Sequence, residues 1–419
     1  MNMTDRLTTI PDIQTTPVPQ DIQKKIVVDD MIPYAREAFS ELGSVTLLPG
    51  RDITRGTIRD ADALIVRSVT TVNAALLDGS PIRFVGTTTT DVDHIDQQYL
   101  VGRNITFAAA RGCNANAVAD YVLTALLVVA HLQGLDLQGT TIGIIGVGRI
   151  GSLVACRTQA LGMRPILHDP PLERSTGDPR YRPLAEALQA DFLTFHVPPT
   201  VKGAGPNWHL IGKDELACMA PSAILINTSR GAVVDNDALL EALTRHTIGG
   251  AVMDVWEGEP SINWNLLRQV TLGTPHIAGH SFDGKVNGTV IIYEAFCRFL
   301  GVLPRWQPLS NILPVTGIPP GKPRPLFYDG PCVDFQTLAL EVTIALLRDI
   351  YGYDGARTRM KRLPDRPDAE RSGAFDQLRH DYPLQREFAI SPVVISHGTW
   401  EFVDRFNALG IPARAKDAN

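Results

Sequence analysis

The residues best equipped for chemistry lie in three short segments, each directly behind an apolar run. Asn227-Thr-Ser-Arg-Gly-Ala-Val-Val-Asp235 offers a guanidinium at Arg230, Asp254-Val-Trp-Glu-Gly-Glu-Pro260 a carboxylate at Glu259, and Thr274-Pro-His-Ile-Ala-Gly279 an imidazole at His276. A neutral imidazole is the natural group to remove a hydroxyl proton near neutral pH. A carboxylate can hold that ring by one nitrogen and stabilise the imidazolium that forms. An arginine can clamp a substrate carboxylate through two parallel N–H bonds. Singly, each has an ordinary structural reading: a satisfied core histidine, a surface acid before a proline turn, an arginine paired with Asp235. Their joint appearance behind a nucleotide-binding signature is what gives them weight.

That signature is Ile142-Gly-Ile-Ile-Gly-Val-Gly-Arg-Ile-Gly151, which carries G-x-G-x-x-G at Gly146, Gly148 and Gly151. It follows an apolar strand and opens a helical stretch from Ser152 to Leu161, the context a dinucleotide site requires. Gly146 permits a tight turn, Gly148 lets a pyrophosphate approach the backbone, and Gly151 lets the helix pack closely on the strand. The helix N-terminus supplies N–H donors and positive dipole to the phosphates. The next strand ends in His168-Asp169, twenty-three residues beyond Gly146 and near the spacing of a ribose-binding acid. A carboxylate there accepts from both ribose hydroxyls and repels a 2′-phosphate, so the expected cofactor is NAD and not NADP.

The elements that must position these groups alternate along the chain. A first set of strand-like runs is Lys25–Asp29, Val45–Leu48, Ala63–Val66, Arg83–Gly86 and Ile105–Ala108, with a helical pattern at Ile32–Leu42. A long helix, Asn114–Leu132, leads to a second set: Thr141–Ile145, Pro165–His168, Phe192–Phe195, Ala223–Ile226, Gly250–Met253 and Val270–Leu272, with a helix at Asp235–Leu243. These runs are too uniformly apolar for a sheet with one wet face, and suit parallel strands covered on both sides. The expected class is α/β, with two doubly wound, Rossmann-like parallel sheets. In such sheets ligands gather at the carboxyl ends of strands, where all three chemical segments fall. Beyond Leu300 the character changes: a Pro- and Gly-rich linker (Val302–Pro325), a helix (Phe335–Tyr351), a charged loop (Arg357–Arg371), a strand (Pro392–Ser396) and a helix (Trp400–Leu409). No catalytic constellation stands out there, and an interaction module is expected.

Composition narrows the classes. The 419 residues are 44% hydrophobic and 20% charged with net charge −6, which suits a globular enzyme and argues against nucleic-acid or anionic-membrane partners. The five cysteines (Cys113, Cys156, Cys218, Cys297 and Cys332) are scattered and lack a C-x-x-C pair, so no metal site is expected and a reducing, cytoplasmic setting fits. The N-terminal stretch lacks the apolar run of a signal peptide, and residues 1–23 read as a disordered tail. The apolar run Ala117–Ala130 holds Asp120 and is too short to span a bilayer, so it is expected as a buried helix.

In the order and content of the glycine motif, the Arg-Gly segment, Asp-Val-x-Glu-x-Glu-Pro and Pro-His-Ile-Ala-Gly, the sequence resembles the D-2-hydroxyacid dehydrogenases. The resemblance implies that Arg230 binds substrate, Glu259 is the partner acid and His276 the acid/base. It also implies cofactor contacts at Arg149, Ile150, Val197, Thr228, Ser229, Arg230, Asp254 and Gly279, beside Gly146, Gly148, Gly151 and Asp169. A finer likeness, to members acting on a phosphorylated hydroxy acid, runs through Val66-Arg-Ser-Val-Thr-Thr-Val-Asn73, His168-Asp-Pro-Pro171, Val233-Val-Asp-Asn236 and Phe375-Asp-Gln-Leu-Arg379. It implies substrate contacts at Ser68, Thr89 and the position of His280. Arg67 and Lys285 are added as cations for a phosphate. The resemblance further implies a discontinuous substrate-binding domain (24–113 and 276–300), an NAD-binding domain (114–275) and a small C-terminal α+β dimerisation domain (301–419) making a homodimer. Departures at Met31, Asp91, Val197, His280 and Asn287 sit mostly on the substrate side. They leave open a relative acting on phosphoglycerate or a hydroxypyruvate-like acid, and a non-catalytic NAD-binding regulator.

Overall fold

The computed structural model describes residues 24–198, 207–308, 326–328, 334–348, 355–395 and 400–415. The expected tail (1–23), most of the linker Val302–Pro325, Cys332 and the end of the expected helix at Tyr351 lie outside the described residues. Two compact units emerge: Met1–Arg111 with Val286–Leu309, and Gly112–Lys285 with Ser310–Asn419.

The first unit is built on a five-stranded, wholly parallel sheet. Its strands are β1 (Lys24–Asp29), β2 (Gly43–Leu48), β3 (Ala63–Val66), β4 (Phe84–Thr87) and β5 (Thr106–Ala109), in the order β2-β1-β3-β4-β5. β3 and β4 are buried along their full length, as parallel strands covered on both faces must be. Gly86 lies under Ile292, whose Cγ2 would stand 2.5 Å from a Cβ at that position. Glycine there lets a helix lie close on the strand. The helix expected over Ile32–Leu42 shrinks to Ala35–Phe39. Pro33 disfavours helical backbone at Ile32, and Tyr34 sits in the left-handed region at φ 58°.

The second unit carries a six-stranded parallel sheet: β6 (Thr141–Ile145), β7 (Arg164–His168), β8 (Phe192–Phe195), β9 (Ile224–Asn227), β10 (Gly250–Met253) and β11 (Leu272–Gly273), in the order β11-β10-β9-β8-β6-β7. The order reverses at β6, which has β7 on one side and β8 on the other. Such a switch point opens a ligand crevice at the carboxyl ends of the strands. The helix Ala115–Gln133 is apolar on every side because it is enclosed. It shares one core cluster with β6, β8, β9 and β10 and with Phe335, Leu338 and Val342 of the later helix Phe335–Leu346. At 19 residues it is longer than the expected run, long and apolar enough to cross a membrane by length and composition, but its apolar window is 83% buried inside the protein. Its one acid, Asp120, is paired in the interior with Arg157 of the helix Arg149–Ala160.

Of residues 301–419, expected from sequence as a separate domain, the residues up to Leu309 fall in the first unit and Ser310–Asn419 in this same one. They carry a small parallel sheet of β12 (Leu326–Tyr328), β13 (Val393–Ile395) and β14 (Ala413–Ala415), of which the sequence reading found β13 alone. The expected charged loop at Arg357–Arg371 is instead mostly helical, with helices Ala356–Lys361 and Asp368–His380 around a 3-10 turn at Leu363–Asp365. Its prolines start turns of helix and do not break them. Pro364 lies in the first positions of the 3-10 turn and Pro367 is the residue before Asp368.

Candidate active site

The glycine turn after β6 has the geometry its composition requires. Gly146 adopts φ +88°, and a Cβ there would stand 2.6 Å from Val197 Cγ1 and 2.7 Å from the His196 carbonyl oxygen. A Cβ on Gly151 would run into the Gly146 carbonyl, so the helix Arg149–Ala160 can rest on the turn only without one. Among the described residues nothing lies within 4 Å of a Cβ built on Gly148, leaving its backbone open. Asp169 ends β7. Its Oδ2 accepts the Val147 N–H at 2.8 Å and its Oδ1 caps the helix Pro170–Thr176 at the Leu172 N–H. The carboxylate thus stands beside the turn, with lone pairs remaining for a ribose. Arg149 opens the helix with its side chain over Gly112, and Ile150 packs into the core behind it. Directly after β9, Thr228 Oγ1 is buried and has no hydrogen-bond partner among the described residues, a place that fits a cofactor group. Taken together, these residues suit a dinucleotide.

The three chemical segments are locked to one another at the ends of β9, β10 and β11. Asn227 pins the first: its Oδ1 accepts Ser229 N and Oγ, and its Nδ2 donates to the Arg230 carbonyl at 2.9 Å. Arg230 Nη1 donates to the Ser229 carbonyl at 2.7 Å, and the side chain is half-buried. Gly231 presses against the Trp256 backbone, where a Cβ would collide. Asn236 N donates to Glu257 Oε2 at 3.0 Å, joining the first segment to the second. Trp256 Nε1 donates to the Thr274 carbonyl at 3.0 Å, joining the second to the third.

His276 Nδ1 and Glu259 Oε2 lie 2.8 Å apart. Glu259 Oε1 accepts the Trp256 N–H at 2.8 Å, so both of its oxygens are engaged. Burial alone pushes the Glu259 carboxyl up. The hydrogen bond and charge of His276, the Trp256 N–H and Arg379 outweigh this and hold it below the ordinary value. His276 itself has left-handed backbone at φ 56°, unusual for a residue with a side chain. Asp254, expected as a cofactor contact, explains how that is sustained. Its carbonyl accepts His276 N at 2.7 Å, Oδ1 accepts Ile277 N at 2.8 Å and Thr274 Oγ1 at 2.6 Å, and Oδ2 accepts Ala278 N at 2.9 Å. Tyr121 completes the post through Thr274 Oγ1 at 2.6 Å. Asp254 is fully buried, and burial raises its pKa above the ordinary carboxylate value. Its work is to hold the histidine loop, which sequence patterning had no means of showing.

Four residues after His276 the same loop presents His280, whose ring meets Tyr382 edge-on at 5.7 Å. Burial first, then the charges of Lys285 and Arg379, push His280 down to about 3, so its ring is neutral. Gly279 keeps its carbonyl within 3.4 Å of Asn114 Nδ2. In the first unit the expected substrate residues follow strand ends. Ser68 is exposed in the turn after β3, and Thr89 after β4 bonds Thr87 Oγ1 at 2.8 Å and the Asp91 carbonyl at 2.9 Å. Arg67 Nε is tied at 3.0 Å to the buried Asp29, which gives it a scaffold role whatever else it binds. Arg379 escaped the sequence reading as a site residue, since it sits in an ordinary charged helix; only its place in the stretch Phe375–Arg379 drew notice.

Comparison with known proteins agrees with this geometry. The family model for the D-isomer specific 2-hydroxyacid dehydrogenase, NAD binding domain, matches residues 118–278. An erythronate-4-phosphate dehydrogenase from Proteus mirabilis (strain HI4320) is 41% identical over 94% of this chain and 100% of its own length. One of the same name from Cellvibrio japonicus (strain Ueda107) is 45% identical over 87% of this chain and 93% of its own. Among solved structures, D-lactate dehydrogenase from Aquifex aeolicus, complexed with NAD and lactic acid, shares the fold, with TM-score 0.54 and 23% identity over 66% of this chain and 96% of that one. Likeness of this extent, running through the glycine turn and the three locked segments, places the chain in the erythronate-4-phosphate dehydrogenase family of NAD-dependent, D-isomer specific 2-hydroxyacid dehydrogenases.

Proposed function

We propose that this chain oxidises 4-phospho-D-erythronate at C2 to the corresponding 2-oxo acid, a step in pyridoxal 5′-phosphate biosynthesis, with His276 as the acid/base. The observation that carries the reading is the 2.8 Å His276–Glu259 pair on a loop fixed by Asp254, beside a turn built for a dinucleotide. Glu259 holds Nδ1 of the ring and stabilises the imidazolium, which leaves Nε2 to take the proton of the C2 hydroxyl. Arg230 binds the substrate carboxylate and polarises the C2 oxygen. NAD, when bound, supplies the hydride acceptor. Asp169, Gly146, Gly148, Gly151, Arg149, Ile150, Val197, Thr228, Ser229 and Gly279 surround it. Ser68, Thr89, His280, Lys285 and Arg67 contribute to the acid and its phosphate. The relatives' names and the retained Arg–Glu–His set support this reading over a non-catalytic regulator. A cytoplasmic homodimer is proposed with it; among the described residues Cys113, Cys156, Cys218 and Cys297 are in no disulfide, which suits a reducing compartment.

The test is NAD reduction with 4-phospho-D-erythronate beside erythronate and 3-phospho-D-glycerate, in the parent and in His276→Ala. The expected outcome is a clear preference for the first acid and a loss of at least ~100-fold in kcat on substitution, with NADH affinity nearly unchanged. Full turnover by the variant would remove His276 as the acid/base. Better turnover of another acid would keep the chemistry and direct attention to Met31, Asp91, His280 and Asn287.

A further inference from the structure

The oxygen of Glu259 that faces His276 Nδ1 also lies 3.9 Å from Nη1 of Arg379. Arg379 comes from the last turn of the helix Asp368–His380, far along the chain from either partner. The ring therefore has an anion behind it and a cation behind the anion. This arrangement is not an incidental approach of a long side chain, because the segment that follows Arg379 is latched onto the loop that follows His276. Tyr382 packs on His280. The Gln385 carbonyl accepts Phe282 N at 2.9 Å, and Arg386 Nε lies 3.2 Å from both oxygens of Asp283. Ser281 Oγ donates to Glu387 Oε1 at 2.9 Å, and Phe388 N donates to Asp120 Oδ2 at 2.8 Å. Among the described residues, charged and titratable groups that act on the His276–Glu259 pair include Asp254 beneath the loop and Arg379 beside the carboxylate. His280 stands further along the same loop, and Lys285, in the helix Phe282–Leu300 that follows it, acts on His280.

We propose that Arg379 is a positioning residue for proton transfer: it fixes Glu259 and, by its charge, favours the neutral over the protonated form of the His276 ring. The inference rests on His276 being the acid/base. A positive charge close to a titrating imidazole opposes its protonation, and one that is 46% exposed does so weakly and in a salt-dependent way. Oxidation of the hydroxy acid needs the neutral ring, and reduction of the oxo acid needs the protonated one. Removing the charge must therefore shift both pH limbs in the same direction.

The experiment measures kcat/KM against pH in both directions for the full-length parent, Arg379→Gln and Arg379→Lys. In Arg379→Gln the acid limb of oxidation and the basic limb of reduction are expected to move up by about half a pH unit, roughly threefold in rate on each limb. Arg379→Lys should restore them. NADH binding reports that each variant is folded. Should Arg379→Gln not fold, raising the salt concentration on the parent should move the same limbs upward. Equal losses in both directions with unmoved limbs would reduce Arg379 to a structural role. A higher KM confined to the phosphorylated acid, with unmoved limbs, would make it a substrate contact. Either result overturns the proposal. Turnover surviving in His276→Ala sinks the acid/base reading itself, whereas a dead His276→Ala with unmoved limbs in Arg379→Gln sinks this inference alone.

Discussion

At the scale of single residues, the site depends on a histidine kept in a backbone conformation it would not choose. Left-handed φ costs a residue with a side chain of order 1 kcal/mol or more and persists where the surroundings over-determine it. Here three successive N–H groups, of His276, Ile277 and Ala278, all close on Asp254. Asp254→Asn keeps the shape but turns one acceptor into a donor that faces another donor. The expected outcome is a stability loss of about 1–3 kcal/mol and a fall in kcat larger than the rise in KM, read by thermal melts and steady-state kinetics. Unchanged kcat would show that the loop does not need this post. His276, Glu259 and Arg230 were legible in the sequence because motif and order announce them. Asp254 was legible as a member of the motif but not in its role. A hydrogen-bond acceptor is identified by what converges on it, and Thr274, Ile277 and Ala278 are some twenty residues away.

At the scale of elements, the two glycines that follow the first in the turn have different duties, which can be separated. Gly151 is where helix meets strand, and a methyl there meets the Gly146 carbonyl; Gly148 has ordinary φ of −71° and open space above it. Gly151→Ala is therefore expected to lower the melting temperature and NADH affinity together. Gly148→Ala should keep the melting temperature and lose affinity by about tenfold or more, since only the ligand's approach is blocked. Calorimetry of both variants, with and without NADH, checks this; equal melting losses would refute the division of labour. Most strands of both larger sheets could be read from sequence to within a residue or two. Their apolar runs are short, bounded and buried on both faces, so hydrophobicity alone outlines them. The stretch Arg357–Arg371 is helical where a loop is expected, because its charge and its prolines resemble those of a loop. In place, Asp368 and Glu370 lie at the N-terminal turn and Arg379 and His380 at the C-terminal turn, where each sign complements the helix dipole.

At the scale of the molecule, the described residues beyond Asp334 contribute side chains to the second unit's core. Phe335, Leu338, Phe388, Phe406 and Ile411 share a core cluster with Leu126 and Ile144, so a chain cut after Leu300 would lose core as well as surface. The contacts of Glu387 and Phe388 with the rest of the unit also concentrate acids. Burial, with Asp120 and Asp283 adding to it, pushes Glu387 up to about 7 against the bond from Ser281, and burial pushes Asp120 to about 6 despite Arg157. An acid whose pKa is higher folded than unfolded holds its proton more tightly in the folded state. Its contribution to stability is complete below the unfolded value of 4.5 and is lost as pH rises through about 7. Glu387→Gln should therefore match the parent near pH 5 and exceed it at pH 8 by ~1–2 kcal/mol, measured by denaturant melts across that range. A difference independent of pH would show that Glu387 does not ionise in place.

The first unit is assembled from two stretches of chain, Met1–Arg111 and Val286–Leu309, with all of Gly112–Lys285 intervening. On a ribosome adding about 5–20 residues per second, its five strands emerge roughly ten seconds or more before the helix whose Ile292 covers Gly86. During that interval a parallel, apolar sheet stands with one face uncovered, in a topology that forms slowly and aggregates readily. Chaperone demand in this protein should thus be set by the order of synthesis, and a circular permutant that delivers 286–309 ahead of 24–111 would relieve it.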